Sequence, residues 1–446
     1  MSGFPISGRP STPPPDSQSL GLDPSLSGVA GKNPVKSSYE PHLFDLIFAA
    51  GTDGTAPANI PHTYLTSSSI DSSVLLGSGA SFSASVRVIP EGPPLNRAIV
   101  KNDKWTIESV GQSRKRPSHV VYKTARLAFD AQGEAQDGFK NTFQSVLTEL
   151  HALLYPPLRS HPNIIDYFGL AWGTNHFNTG HRLPAIVVEY ADLGTLADVL
   201  KAQTLSSTNK VPLAQDVVAG LQALHSAGLI HGDIKAENVL LFSKPDRMVA
   251  KLADFGFSVV SETANAEVWI GGTPPYQAPE ADRPIALAKL PLTDVYSLGF
   301  LLWSLALSGA APFDFLLPRG SSMSECEKLK KSDTWPTSYR LLSWGKAILE
   351  KWTQEATLLT LSAGFAPTGG QPSSMTSETK EKSLQIVADI MFLSTLDQVF
   401  PHCLSQNPEQ RSLEKVHQVL LTASSFQKQT AAMASNQKLE NVRLQS

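Results

Sequence analysis

Two carboxylates, an amide and a lysine fall at short, fixed offsets near the middle of this chain. Asp233, Lys235 and Asn238 lie in His231-Gly232-Asp233-Ile234-Lys235-Ala236-Glu237-Asn238, and Asp254-Phe255-Gly256 begins sixteen residues after Asn238. Apolar or β-branched neighbours flank these groups and would anchor them to strands. Phosphoryl transfer from a nucleotide asks for this set. It needs an acidic side chain to receive the proton of an acceptor hydroxyl, and oxygen ligands for Mg2+ held nearby. The competing account is a polar turn between two strands, with Asp and Asn as turn formers. That account suits a lone His-x-Asp, but not the joint run that continues into Asp-Phe-Gly and Ala278-Pro279-Glu280.

Taken together, these motifs resemble the catalytic loop, magnesium loop and Ala-Pro-Glu segment of the eukaryotic protein kinase superfamily, Ser/Thr type. The resemblance implies an α+β, bilobal fold, with a small antiparallel β-sheet lobe carrying one main helix and a larger, mainly helical lobe. It implies ATP and Mg2+ as cofactors and the Ser/Thr hydroxyls of proteins as acceptors. On the family pattern Asp233 orients the acceptor hydroxyl and takes its proton. Asn238 and Asp254 hold Mg2+, and Lys235 offsets charge on the migrating phosphoryl group. Thr273, in Gly271-Gly272-Thr273-Pro274-Pro275-Tyr276, would brace the base and the lysine; its alternative is an ordinary turn residue. Gly232 stands where regulated members carry arginine, a residue that pairs with phosphate on the activation segment. Glycine offers no such partner. Activity is therefore expected not to be gated through that contact, although Ser258, Ser261 and Thr263 lie in the segment from Asp254 to Glu280.

These groups need elements to position them. Val74-Leu75-Leu76 leads into Gly77-Ser78-Gly79-Ala80-Ser81-Phe82-Ser83, and an alternating pattern resumes at Ser85-Val86-Arg87-Val88. Two glycines in a strand–turn–strand let the backbone approach phosphates and offer N–H groups to them. Alone, the pair is equally a Gly-Ser hairpin. Against the family's Gly-rich loop it departs twice: Ser83 replaces the third glycine, and an extra residue lies between Gly79 and Phe82. His119-Val120-Val121-Tyr122-Lys123 reads as a strand ending in lysine. Phe143, Val146, Leu147, Leu150, Leu153 and Leu154 recur at helical spacing, with Glu149 at the edge of the apolar face and Pro156 closing the helix. By resemblance, Lys123 bridges the nucleotide phosphates and Glu149 holds the lysine. Lys101 competes because it lies nearer the Gly-rich loop; Lys123 is preferred because it is closer to Glu149 and follows the stronger strand.

His161-Pro162-Asn163-Ile164-Ile165 and the stretch from Leu183 to Tyr190 read as two further strands, the second leading into Ala191-Asp192-Leu193-Gly194 as a hinge. The resemblance implies that Glu189 and Ala191 meet the adenine through their backbone. It puts Val188 at the back of the pocket and Val86, Val121 and Leu240 around the ring, with plain core packing as the alternative. Leu213, Val217, Val218, Leu221 and Leu224 form a helical stripe closed by Gly228, and Asp294 to Gly299 opens a long buried helix. Arg411, in Asn407-Pro408-Glu409-Gln410-Arg411, is expected to form a buried ion pair with Glu280.

The organisation expected is an N-terminal extension over 1–71, largely disordered, a first lobe over 72–190 with an insertion at about 90–118, and a second lobe over 191–424. That second lobe holds an irregular insertion at about 317–380, and a C-terminal tail covers 425–446, read as a frayed helix. The extension is rich in Pro, Ser and Gly and holds too few periodic apolar residues to offset chain entropy. Within it Thr12-Pro13 is a candidate phosphorylation site. His42 to Ala50 is an apolar patch, read as packing on the folded part or as a docking motif. Apolar residues make up 41% and the net charge is −3, so nothing in the balance calls for nucleic acid or an anionic membrane. Two cysteines, Cys326 and Cys403, without a CxxC pair give no metal or disulfide framework and fit a reducing, cytoplasmic location, with the nucleus as the alternative. Three functions compete: an active Ser/Thr kinase, an ATP-binding pseudokinase acting as scaffold or switch, and a binding module built around the N-terminal segment. Retention of Lys123, Glu149, Asp233, Lys235, Asn238 and Asp254 together favours the first.

Overall fold

The computed structural model describes most of residues 74–335 and all of 392–445. Residues 1–73 and 336–391 lie outside it, as do shorter stretches such as 89–94, 127–138, 175–181 and 261–266. The expectations for Thr12-Pro13, for His42 to Ala50, for Gly79, and for Ser261 and Thr263 therefore fall outside the described residues.

The first lobe is an antiparallel sheet. Its strands are β1 (Val74–Ser78), β2 (Phe82–Val88), β5 (His119–Ala125), β7 (Arg182–Glu189) and β6 (Tyr167–Thr174), in the spatial order β1-β2-β5-β7-β6. The expected insertion near 90–118 carries a separate hairpin, β3 (Leu95–Lys101) with β4 (Lys104–Val110), in which Lys101 pairs with Lys104 beside the turn. β5 is central because Val120, Val121 and Tyr122 are all buried: an apolar run can serve both faces only between two neighbours. The helix of this lobe among the described residues, α1 (Phe139–Leu154), ends two residues before Pro156 and buries Val146, Leu150 and Leu153.

His161 to Ile165 departs from expectation. It is a turn with one isolated bridge, Ile164 to Leu252, and the strand lies further on, at β6. Pro162 cannot donate to a ladder, and Asn163 Nδ2 donates instead to Ala250 O at 2.9 Å. The two isoleucines are buried all the same.

The second lobe is mainly helical. Helices α2 (Leu196–Ala202) and α3 (Ser207–Ser226) follow the hinge, and Leu213, Val217, Val218, Leu221 and Leu224 are all buried on α3 as their spacing requires. Short strands β8 (Leu229–Ile230), β9 (Val239–Ser243), β10 (Met248–Leu252) and β11 (Val259–Val260) frame the catalytic-loop sequence, with β9 pairing β10 and β11 pairing β8. The activation segment re-enters the lobe where β12 (Glu267–Val268) pairs with β13 (Ile285–Ala286). Helix α4 (Pro291–Ala306) is buried on nearly every side, with Tyr296, Leu298, Phe300, Leu301, Leu302 and Trp303 in the core. Among the described residues no helix is long and apolar enough to cross a membrane.

One further finding revises the expected organisation. Within the stretch expected to be irregular, Met323–Lys330 forms a helix, α5, with a capping box in which Ser322 and Glu325 satisfy each other's backbone amides. The Ser-x-x-Glu signal was present in the sequence. At the end of the chain, helix α6 (Leu413–Gln445) continues without interruption through the expected tail.

The anticipated ion pair is present. Arg411 Nη1 and Nη2 meet Glu280 Oε1 and Oε2 at 2.5 and 3.0 Å, and Arg411 also donates to the carbonyls of Ser405 and Leu292. The arginine side chain is 0% exposed, so removing its partner strands a charge in the interior. Arg411→Met or Glu280→Gln is expected to lower unfolding stability by about 3–5 kcal/mol. In urea denaturation the double variant should recover part of that loss.

Candidate active site

Strand β5 carries Lys123 at the centre of the sheet, in register with Ala84 of β2 and Ile186 of β7. Its ammonium binds the Glu149 carboxylate on α1 and, at 3.2 Å, Asp254 Oδ1 across the cleft. The Phe82 ring lies under it, 4.7 Å from Nζ. Lys101 stands in the other sheet, so the choice between the two lysines falls to Lys123. Burial alone would pull the Lys123 ammonium down, but Glu149 and Asp254 outweigh it and hold the pKa above the ordinary lysine value. Burial pushes the Glu149 carboxyl up to about 7, with Lys123 pulling part of the way back. Asp254 is held low, chiefly by Lys123 and against its own burial.

Helix α1 also touches the loop that bears Asp254. Ser145 Oγ donates to Gly256 O at 2.8 Å, and a Cβ on Gly256 would lie 2.4 Å from that hydroxyl. Phe255 is fully buried against the His231 ring, and Asp254 adopts φ 66, a left-handed conformation that Asp tolerates better than most residues. This turn leaves the Asp254 side chain 46% exposed to the cleft.

A buried carboxylate holds the loop from His231 to Asn238. Asp294, in the first turn of α4, accepts the backbone N–H groups of His231 and Gly232 at 2.8 and 2.9 Å and lies 2.9 Å from His225 Nε2. Gly232 has φ +78, and a Cβ there would lie 2.6 Å from Phe257 O. Three side chains converge on Asp233. Thr273 Oγ1 donates to Oδ1 at 2.8 Å, Lys235 Nζ lies 2.7 Å from Oδ2, and Asn238 Nδ2 donates to Oδ2 at 3.1 Å and to Asp233 O at 2.8 Å. Lys235 donates in turn to Thr273 Oγ1 at 2.7 Å. A carboxylate offers about four acceptor sites, so these three side-chain donors leave one free. Thr273 is thus a bridge between Asp233 and Lys235 rather than an ordinary turn residue.

The donor set suits Mg2+. With its amide nitrogen committed to Asp233, Asn238 turns its oxygen away, and Asp254 contributes a carboxylate. Among the described residues no cluster of three or more His, Cys, Asp or Glu forms a full protein cage. Mg2+ is typically held by one or two side-chain oxygens plus water and phosphates, which these two residues fit.

Val86, Val121 and Val188 occupy one rung across β2, β5 and β7, Val121 pairing with each of the other two. Leu240 on β9 bridges Thr195 just after the hinge, where Leu193 N donates to Leu241 O at 3.3 Å and Leu241 N to Gly194 O at 2.9 Å. Ala191 is buried. The Glu189 carboxylate is taken by Lys251 and, at 2.8 Å, by the Asp166 amide, leaving only its main chain to face a base. Gly77 lies at the bulge of β1, and Ser78 and Ser83 hydroxyls meet at 3.1 Å across the β1–β2 turn. Sequence reasoning missed Phe82, Ser145, Asp294 and Lys251 as supports. Only Asp294 had a signal, as an acid in the first turn of a long apolar helix.

A two-lobed α+β fold with these groups gathered at the cleft defines a phosphoryl-transfer class of protein. The protein kinase domain model matches residues 111–420, and the chain belongs to that family. The match begins after β1 and β2, which nevertheless complete the sheet around β5. The chain is similar to a calcium and calcium/calmodulin-dependent serine/threonine-protein kinase of Pisum sativum, 36% identical over 155 residues, 34% of this chain and 27% of that protein. It is similar also to serine/threonine-protein kinase pkn2 of Myxococcus xanthus, 35% identical over 176 residues, 37% of this chain and 21% of that one. Serine/threonine-protein kinase SBK1 of Danio rerio is 33% identical over 196 residues, 43% of this chain and 48% of its own. The chain thus spans less than half of the length of each.

The Glu149 pKa carries a pH dependence. Below about pH 7 the carboxyl takes up a proton and loosens its hold on Lys123, so nucleotide affinity should fall on the acid side. Stability moves the other way. The folded-state value lies above the unfolded one, so this group's contribution is complete below the ordinary glutamate value of 4.5 and is lost as pH rises through about 7. Glu149→Gln should abolish the acid limb in a nucleotide-binding titration.

Proposed function

We propose that the chain is a protein serine/threonine kinase that transfers the ATP γ-phosphate to Ser/Thr hydroxyls of protein substrates. The observation that carries this reading is the Lys123 ammonium lying between Glu149 and Asp254, which joins strand, helix and loop in one set of contacts. Asp233 orients the acceptor hydroxyl and takes its proton at the one acceptor site its neighbours leave free. Lys235, paired with that carboxylate and with Thr273, carries positive charge to the path of the phosphoryl group. Lys123 would face the nucleotide phosphates, and the Gly77–Ser78 stretch would cover them. Asn238 and Asp254 would hold Mg2+, which supplies charge neutralisation between the phosphates. Val86, Val121 and Leu240 would enclose the adenine, with main-chain groups of Glu189 and Ala191 at its edge. Catalysis on this account is positioning and electrostatics, since the groups are already fixed by one another before any substrate arrives.

Activity on this reading does not depend on a phosphorylated activation segment acting through the catalytic loop. Gly232 has no side chain to pair with phosphate, and its amide is already spent on Asp294. Ser258 is buried and donates to His231 O at 3.3 Å, which keeps it from a modifying enzyme. Ser261→Ala with Thr263→Ala should leave the turnover of the purified chain within about twofold of wild type, where the loss of a needed phosphate–Arg contact would be far larger.

An ATP-binding pseudokinase is the second reading, favoured by Ser83 in place of a glycine at the turn where its hydroxyl meets Ser78. Transfer of labelled phosphate to a generic protein substrate separates the two. Wild type should transfer, and Asp233→Asn should fall by about 10²–10⁴-fold with nucleotide binding retained. Nucleotide binding by wild type without transfer would establish the pseudokinase instead.

A further inference from the structure

Lys330, the last residue of α5, has a side chain that is 0% exposed, although it lies in a stretch whose composition is polar. A buried ammonium needs its hydrogen bonds met from the protein. Lys330 Nζ donates to Pro275 O at 3.0 Å and to Gln277 O at 2.6 Å, pairs with Glu327 at 2.6 Å, and lies 5.8 Å from the ring centres of Tyr296 and Phe300. Burial pulls its pKa below the ordinary lysine value, with Glu327 acting against that. The carbonyl between those two, Tyr276 O, accepts from Ser297 Oγ of α4 at 2.9 Å. Three successive carbonyls of the activation segment are therefore held by side chains from two helices.

That stretch is the far side of the turn that starts at Thr273, whose carbonyl accepts the Tyr276 amide at 2.8 Å. Thr273 is the residue that bridges Asp233 and Lys235. The helix bearing Lys330 is itself fastened to the lobe. Gln406 Nε2 donates to Lys330 O and Ser332 O at 2.9 and 2.7 Å, and Trp335 Nε1 donates to Leu404 O at 2.8 Å. An apolar side chain would fill the same space, but it would leave two partly buried carbonyls without their lysine donor and the turn without its tether.

We propose that Lys330 is a positioning residue for the phosphoryl-transfer step: by holding the Pro275 and Gln277 carbonyls it sets the Thr273 hydroxyl against Asp233 and Lys235. This rests on the kinase reading above and extends it to a residue some fifty positions beyond the loop it serves. Lys330→Met tests it, alone and combined with Thr273→Ala. The single variant should stay folded and bind nucleotide as wild type does, while kcat falls by about 10- to 100-fold, the scale of a misplaced catalytic group. Because Lys330 acts through Thr273, adding Lys330→Met to Thr273→Ala should cost little more than Thr273→Ala alone. Amide exchange at Tyr276 and Gln277 should quicken in Lys330→Met, whatever the turnover.

Independent, multiplicative losses in the double variant would overturn the proposal, as would a kcat equal to wild type or a fall in nucleotide affinity that tracks the fall in kcat. Unchanged exchange would overturn the tether itself. Should Lys330→Met not fold, Lys330→Gln, which removes the buried charge and at least one of the two carbonyl bonds, takes its place in the same cycle and the same outcomes apply. A wild-type chain that folds but transfers no phosphate would instead sink the kinase reading, and the catalytic role of Lys330 with it.

Discussion

A lysine ammonium buried in a protein has to be compensated, and nearly everything about the cleft follows from how Lys123 meets that demand. It takes one carboxylate from α1 and another from the loop after β10. Helix α1 is the next element along the chain, but the loop after β10 lies 131 residues away. Helix α1 is thereby set against the sheet, and Ser145 on the same helix fixes Gly256, so the helix and the Asp-Phe-Gly turn share one position. Removing either carboxylate would leave a charge in a site from which water is largely excluded. The arrangement is thus specified as a set, not contact by contact.

Buried charges hold the second lobe together in a similar way, and most of them act on backbone. Asp294 accepts two amides of the catalytic loop, Lys330 donates to two carbonyls of the activation segment, and Arg411 binds Glu280 along with the carbonyls of Ser405 and Leu292. A loop has no ladder to satisfy its polar groups, so a buried loop requires side chains to do so. Each ion fixes a particular strand–loop–helix geometry, which apolar packing alone, being non-directional, would not. The loops that carry the site can therefore sit in the interior.

Much of the site was legible in the sequence because its parts are close together or stereotyped. Asp233, Lys235 and Asn238 lie within one short loop, and the apolar spacing on α1 and α3 gave the helices that flank it. Errors arose where the pattern was short or the partner distant. Ile164 and Ile165 look like a strand by composition, yet they bury themselves with a single bridge to β10 because Pro162 and Asn163 turn the chain. Polar composition near residue 325 read as irregular, although Ser322 and Glu325 had already written a helix start. A lysine in such a stretch looks solvated, and only the packing of α5 under the activation segment puts Lys330 in the interior.

Residue types and local spacing settled which chemistry this chain is equipped for, since the order of acid, lysine, amide and second acid is fixed along the backbone. They settled the helical faces too, because periodicity is a local property. What needed the tertiary structure was the geometry of the pairings that the resemblance implied, and those that it did not imply, such as Asp294 with the loop amides and Lys330 with the activation segment. Lys123 meets Glu149 from the five-stranded sheet, whereas Lys101 belongs to the separate β3–β4 hairpin. Thr273 meets Asp233 because the activation segment folds back over the loop. Electrostatic pairing depends on separation in space, and spatial separation is what a linear sequence does not display.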